Sequence, residues 1–252
     1  MKKYIKKILY PLRRLLTKLI LIDDIVPTPI SLASTYIHSE DVQGDYLEFG
    51  CFKGYSFINA YHKIKSAAKT SSLENQDIVF NKEITNIDNI KKTKQHKRKF
   101  YAFDSFEGLP AIEKSDGDHP LFFEGSYFCS EKEFIKNISE AGVSLEDVII
   151  VPGYYQNTLN KSLKDSSKLK KAAIIMIDCD LYESTKIVLD FITDIIDNGT
   201  IIIFDDWFAY KAKRDMGEQR ACKEWLEKNK SITLVPYARY SYTQMSFIVN
   251  KI

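Results

Sequence analysis

Two groups of aspartates stand at the ends of apolar runs. Asp178-Cys179-Asp180 follows Ile174-Ile175-Met176-Ile177, and Asp205-Asp206 follows Ile201-Ile202-Ile203-Phe204. Two carboxylates about 4 Å apart repel by roughly 4 kcal/mol at an effective dielectric near 20. A cluster of them calls for a cation, a shared proton or a basic partner. Oxygen-only side chains suit a hard divalent ion, so Mg2+ is expected before Zn2+. The pattern reads as a divalent metal site beside a catalytic base. Cys179 would point away from both neighbouring aspartates in an extended segment and is expected to pack.

The elements that must position these groups can be read in the chain. Each apolar run is short, β-branched and unbroken, as in central parallel strands covered on both faces. In open parallel sheets the carboxyl ends of the strands form the ligand crevice. An earlier strand and its exit occupy Gly44-Asp45-Tyr46-Leu47-Glu48-Phe49-Gly50, and a turn through Gly54 and Ser56 opens a helix that runs to about His62. A second strand, Lys99 to Phe103, ends at Asp104-Ser105. Residues Asp116 to Cys129 form an aromatic-rich loop placed to cover a substrate. Ser130 and Glu133 have capping-box spacing, and their helix ends near Gly142. A third strand covers Val148 to Val151. Short helical character returns over Ser162 to Lys171. Apolar spacing predicts a helix from Tyr182 to Ile196 and another from Gly217 to Asn229. Strands Ile232–Val235 and Met245–Val249, joined by a polar turn through Arg239, form a closing hairpin. The order is that of a doubly wound, Rossmann-like α/β domain over 44–252, mostly parallel with a C-terminal antiparallel hairpin.

Composition narrows the class. A chain of 252 residues is most simply one domain with a large core. Its net charge of +2 gives no sign of a nucleic-acid partner. The four cysteines form no CxxC pair, which suits a reduced, cytoplasmic protein. The extension 1–43 opens with seven basic residues and no acid in its first 22 positions. Its apolar runs are too short to span a membrane. Its first 22 residues are expected to be a helix over the site or against a second subunit, with peripheral contact to an anionic membrane as the sharper reading and a cleaved targeting segment as a third. A homodimer is expected. Residues 66–98 are rich in Lys, Asn, Ser and Thr and read as a surface insertion, partly helical.

The first strand exit, Glu48-x-Gly50-x-x-x-Gly54, is not a dinucleotide fingerprint. Glycines there let a ligand and the next helix approach the strand. An acid opening the motif disfavours a pyrophosphate and suits a cationic ligand such as S-adenosylmethionine. Asp104 stands where such folds hold a ribose through its hydroxyls. Its distance from Gly54, 50 residues, exceeds the usual gap because of the insertion. His119 could serve as a base on the substrate loop but reads more simply as a surface turn. Tyr127, Tyr154, Tyr155 and Trp207 could line a sugar pocket or pack, and Arg220 suits an ion pair at a helix start.

Four runs together, Gly44 to Gly50, Phe103-Asp104-Ser105-Phe106-Glu107-Gly108-Leu109-Pro110, Asp178 to Thr185 and Phe204-Asp205-Asp206, resemble the macrocin O-methyltransferase family. These are bacterial enzymes that use a metal and S-adenosylmethionine to methylate sugar hydroxyls. The resemblance runs from about Gly44 to the C-terminus. The insertion, the basic N-terminus and Tyr55 depart from the family pattern. The resemblance implies a methyltransferase sheet, Mg2+ on Asp178, Asp205 and Asp206, and Asp180 as general base. It also implies cofactor contacts from Glu48, Gly50, Asp104 and Ser105, to which Gly54, Ser56 and Asp178 are added. The acceptor would be a sugar or glycan. Two rival classes stay open. A nucleotide-sugar glycosyltransferase could use Asp178-Cys179-Asp180 as a DxD motif, and a binding module could retain the fold without turnover.

Overall fold

Alternation along the strands decides the architecture. In β1 (Asp45–Phe49) Tyr46 enters one core, while Leu47 and Phe49 enter another. In β4 (Ala172–Ile177) Ile174 and Met176 face the first core, and Ile175 and Ile177 the second. A sheet buried on both faces needs apolar residues at every position, which explains the unbroken runs. The structure is a computed structural model that describes residues 28–80 and 97–252. The basic segment 1–22 and residues 81–96 of the insertion lie outside them.

The seven strands order as β3-β2-β1-β4-β5-β7-β6. Strands β2 (Phe100–Asp104), β3 (Val148–Pro152) and β5 (Ile201–Phe204) run parallel to β1 and β4. Strand β7 (Gln244–Lys251) alone is reversed, antiparallel to β5 on one side and to the edge strand β6 (Ile232–Tyr240) on the other. Chain order reverses between β1 and β4, which makes their carboxyl ends the topological switch point.

Helices cover both faces. On the Tyr46 side lie α1 (Pro29–Ser39), α2 (Tyr55–Phe80) and α3 (Glu131–Glu140). Beyond β3 come the short helices α4 (Tyr155–Thr158) and α5 (Lys161–Ser167). The Leu47 side is covered by α6 (Tyr182–Ile192) and α7 (Gly217–Lys228) through Val188, Leu189, Ile192, Ala221 and Trp225. Full burial of Val188, Leu189 or Ile192 contributes roughly 1.5–3 kcal/mol each. Helix α1 belongs to the Tyr46-side core through Ala33 and Ile37, although the sequence reading placed it in the extension. Thr28 caps it, its Oγ1 accepting from Ser31 N at 3.2 Å, with Pro29 at the favoured first position. Ser130 caps α3 through Glu133 N at 3.3 Å.

The structure differs from expectation at three places. Helix α2 continues past His62 to Phe80, so the first part of the supposed insertion is helical. The helix α4 was not foreseen, because four residues carry no periodic signal. The hairpin strands are longer, and Arg239 lies within β6. A register shift between Pro236 and Ala238 carries β6 past its proline. Ser246 repairs the shift, its Oγ accepting from Ala238 N at 3.1 Å and donating to Ala238 O at 2.9 Å. An edge strand tolerates proline where a central one does not. Among the described residues no helix is long and apolar enough to cross a membrane.

Candidate active site

Strand ends bring the aspartates together. Asp178 N donates to Phe49 O at 2.8 Å and Asp205 N to Ile177 O at 2.9 Å, so β1, β4 and β5 stay in register to their last residues. Gly50 closes β1, donating to Phe103 O at 2.9 Å. A Cβ on Gly50 would fall 1.7 Å from Asp178 O. Only glycine lets these two strand exits meet.

Asp178, Asp205 and Asp206 each offer one carboxylate oxygen, and these oxygens lie within 4.8 Å of one another. Burial raises the pKa of Asp178 well above the carboxylate range, and Asp205, Asp180 and Asp206 add to the rise. Burial also raises Asp205, against a hydrogen bond donated by Gln244 Nε2 to its Oδ1. Asp206 is pushed up to about 6 by burial and by Asp205, while a hydrogen bond shared with Asp180 lowers it. Asp180 is raised by burial and by Asp206. Burial and the mutual repulsion of the carboxylates together drive these rises. The donor set is all oxygen and concave, which fits a hard dication such as Mg2+.

Asp180 has a left-handed backbone, with φ at +59°. Leu181 N donates to Cys179 O at 2.5 Å, which closes a three-residue turn around it. Such strain in a non-glycine residue is characteristic of functional sites. The turn is held from outside. Asp116 is buried in the covering loop; its Oδ1 accepts from Glu183 N at 3.0 Å and its Oδ2 from Glu113 N at 2.9 Å. It caps α6, whose own preceding residue, Leu181, gives no side-chain cap. Cys179 is buried and free, as expected.

A cavity of about 500 Å³ opens above the aspartates. Its lining includes Gly50, Asp104, Ser105, Asp178, Asp180, Asp205 and Asp206. Asp104 Oδ2 accepts from Cys51 N at 2.7 Å and Phe52 N at 2.9 Å, and Oδ1 accepts from Phe106 N at 2.7 Å. A carboxylate offers about four acceptor positions, so one remains on Oδ1. Ser105 shapes the same loop, donating to Gly108 O at 2.8 Å and accepting from Glu107 N at 3.0 Å.

Three expected cofactor residues stay outside the lining: Glu48, Gly54 and Ser56. Glu48 is fully buried, its Oε1 accepting from Ser56 Oγ at 2.6 Å and its Oε2 from the Tyr46 hydroxyl. A Cβ on Gly54 would meet Ile138 and Phe134 at 3.0 Å, so this glycine lets α2 start against α3. Burial pushes Glu48 up to about 8, against the hydrogen bonds from Ser56 and Tyr46. Unfolded, it titrates near 4.5. The folded state therefore binds this proton more tightly. Its contribution to stability is complete below pH 4.5 and is lost as the pH rises through 8. Glu48→Gln keeps the shape and stays neutral. Denaturation at pH 5 and pH 9 should show wild type losing a few kcal/mol more than the variant. Parallel losses in the two proteins would place the proton elsewhere.

Of the aromatic candidates, Tyr127, Tyr154 and Tyr155 line the cavity. Trp207 does not; its ring packs 4.9 Å from Phe204 and 4.8 Å from Phe247. Arg220 lies 3.9 Å over the Tyr182 ring and pairs with Glu224 at 2.9 Å, as an ion pair at a helix start should. His119 reaches the cavity, stacked 3.9 Å from Phe122, and burial lowers its pKa against the pull of Asp118. Sequence reasoning missed Phe52, Tyr210, Tyr242, Thr243, Gln244 and Glu218. Tyr242 and Thr243 come from the β6–β7 turn, and no local pattern shows that this turn faces β5. Glu218 is buried at the start of α7, and its Oε2 accepts from Asp206 N at 3.0 Å.

The chain matches the family model described as Macrocin-O-methyltransferase (TylF) over residues 85–232, more than half its length. It belongs to that family. A Streptomyces olivaceus relative, 8-demethyl-8-(2,3-dimethoxy-alpha-L-rhamnosyl)-tetracenomycin-C 4'-O-methyltransferase, is 28% identical over 123 residues, covering 47% of this chain and 45% of the relative. The chain spans about half the length of the curated relatives it matches. The solved structure of the O-methyltransferase NovP superposes with a TM-score of 0.61 at 19% identity, covering 87% of this chain and 77% of NovP. An O-methyltransferase from Bacillus cereus in complex with SAH gives 0.53 at 14% identity, covering 95% and 88%. These two likenesses establish the fold.

Proposed function

We propose that the protein transfers a methyl group from S-adenosylmethionine to a sugar hydroxyl in a Mg2+-dependent reaction. The observation that carries this reading is the convergence of Asp178, Asp205 and Asp206 beside Asp180, in a cavity that also reaches Asp104. Five aspartates and one lysine, Lys211, are the carboxylates and amines of that lining. Such a field favours cations, namely a sulfonium donor and a metal ion. It disfavours the diphosphate of a nucleotide-sugar donor, which counts against glycosyl transfer. The free acceptor position on Asp104 suits a ribose hydroxyl. Tyr127 and Tyr242 at the mouth offer faces on which a sugar ring could stack. A sugar acceptor is further supported by the name of the Streptomyces olivaceus relative.

The chemistry is a displacement at carbon. The acceptor oxygen forms a C–O bond as the C–S bond breaks, and the sulfur leaves as a neutral thioether. A sugar hydroxyl is a weak nucleophile at neutral pH, so its proton must leave as the bond forms. Asp180 receives it. Burial and the neighbouring Asp206 raise its pKa, which makes it a stronger proton acceptor than a free carboxylate. Asp178, Asp205 and Asp206 would hold the Mg2+, whose positive charge, when bound, would offset their repulsion, orient the hydroxyl and lower its pKa. The loop through Phe122 and Tyr127 forms one wall of the cavity.

The direct test incubates the protein with methyl-labelled S-adenosylmethionine and a panel of nucleotide sugars, rhamnosides and glycolipids. Label should appear on a sugar oxygen, stop with EDTA and return with Mg2+. Transfer that persists in EDTA would remove the metal from this reading.

A further inference from the structure

Glu218 is a buried acid for which the mechanism above has no task. It is 1% exposed, on the first turn of α7. Its Oε1 has no hydrogen-bond partner, the only buried carboxyl oxygen so placed among the described residues. A bare carboxyl oxygen in a core is costly, and an apolar side chain would fill the space without that cost. The other oxygen is the one that is engaged. Oε2 accepts from Asp206 N at 3.0 Å.

That contact lies at a critical point of the chain. Successive side chains of an extended strand point to opposite faces. Asp205 and Asp206 are successive, yet each places an oxygen in the same cluster. The main chain must therefore leave the extended path between them. Asp205 N still makes a ladder bond, to Ile177 O at 2.9 Å. Asp206 N turns instead to Glu218. One residue on, Trp207 O accepts from Gln219 Nε2 at 2.6 Å. The first turn of α7 thus grips the chain just after the bend, by one N–H and one C=O.

We propose that Glu218 is a positioning residue of the metal centre, fixing the bend that lets both Asp205 and Asp206 face one ion. The inference rests on the metal part of the proposed function. It concerns reach and hydrogen bonding, not charge. Glu218→Gln keeps an acceptor oxygen at the same distance. Glu218→Asp keeps the carboxyl group but falls one methylene short of Asp206 N.

The test titrates Mg2+ by calorimetry into the full chain as wild type, Glu218→Gln and Glu218→Asp. S-adenosylhomocysteine is titrated in parallel without metal, and folding is checked by circular dichroism. Glu218→Gln should bind Mg2+ within about threefold of wild type, and Glu218→Asp at least about tenfold more weakly, as for lost outer-shell support. All three should bind S-adenosylhomocysteine alike. Wild-type Mg2+ affinity in Glu218→Asp, or equal weakening in both variants, would overturn the inference. A wild type that binds S-adenosylhomocysteine but no Mg2+ would overturn the metal reading and this inference with it. One that binds neither would overturn the methyltransferase reading as well.

Discussion

Asp180→Asn should lower methyl transfer by roughly 10²–10⁴-fold, the usual contribution of a positioned general base, while cofactor binding persists. Asparagine is the informative replacement. It tolerates the left-handed backbone at φ +59° that Asp180 adopts, and it fills the same volume. Alanine would mix lost chemistry with added strain. Single-turnover kinetics with labelled S-adenosylmethionine read the chemical step, and calorimetry with S-adenosylhomocysteine reads the cofactor site. A rate within threefold of wild type would move the base to another group, with His119 the next candidate because it also lines the cavity.

Gly50→Ala should have the largest effect on the fold itself. The new Cβ would sit 1.7 Å from Asp178 O, on backbone at φ +89°. Neither the carbonyl nor the strand carrying it can move without opening the β1–β4 ladder. Overpacking and left-handed strain together are expected to destabilise by about 3 kcal/mol or more. In a domain of this size that lowers the melting temperature by roughly 6–12 °C. Gly125→Ala is the matched control. Its φ is +77°, but nothing lies within 4 Å of the added carbon. It should cost about 1 kcal/mol from strain alone. Equal melting temperatures for the two variants would mean that the strand exits are less tightly apposed than described.

Much of this was legible in the sequence. The parallel strands announced themselves because a sheet covered on both faces forces apolar residues at every position. Once Ile174–Ile177 and Ile201–Phe204 are strands, Asp178 and Asp205 must fall at their carboxyl ends. The rest depends on contacts that no local pattern encodes. Glu48 opens a motif that looks directed at a ligand, yet Tyr46 and Ser56 take its oxygens and keep it out of the cavity. The polar stretch after His62 carries no clear apolar stripe, so the continuation of α2 to Phe80 was hidden. Tyr242 lies more than a hundred residues from Tyr127, and only the order β5-β7-β6 brings both to one mouth. Glu218 gave a charged first turn, which helices often have. Its burial under Asp206 is a tertiary fact.

The most direct measurement is isothermal titration of S-adenosylmethionine into the full chain, with and without Mg2+. Saturable binding of the cofactor is the expected result. Absence of that binding, together with Mg2+-dependent binding of a nucleoside diphosphate sugar, would contradict the methyltransferase assignment and favour glycosyl transfer.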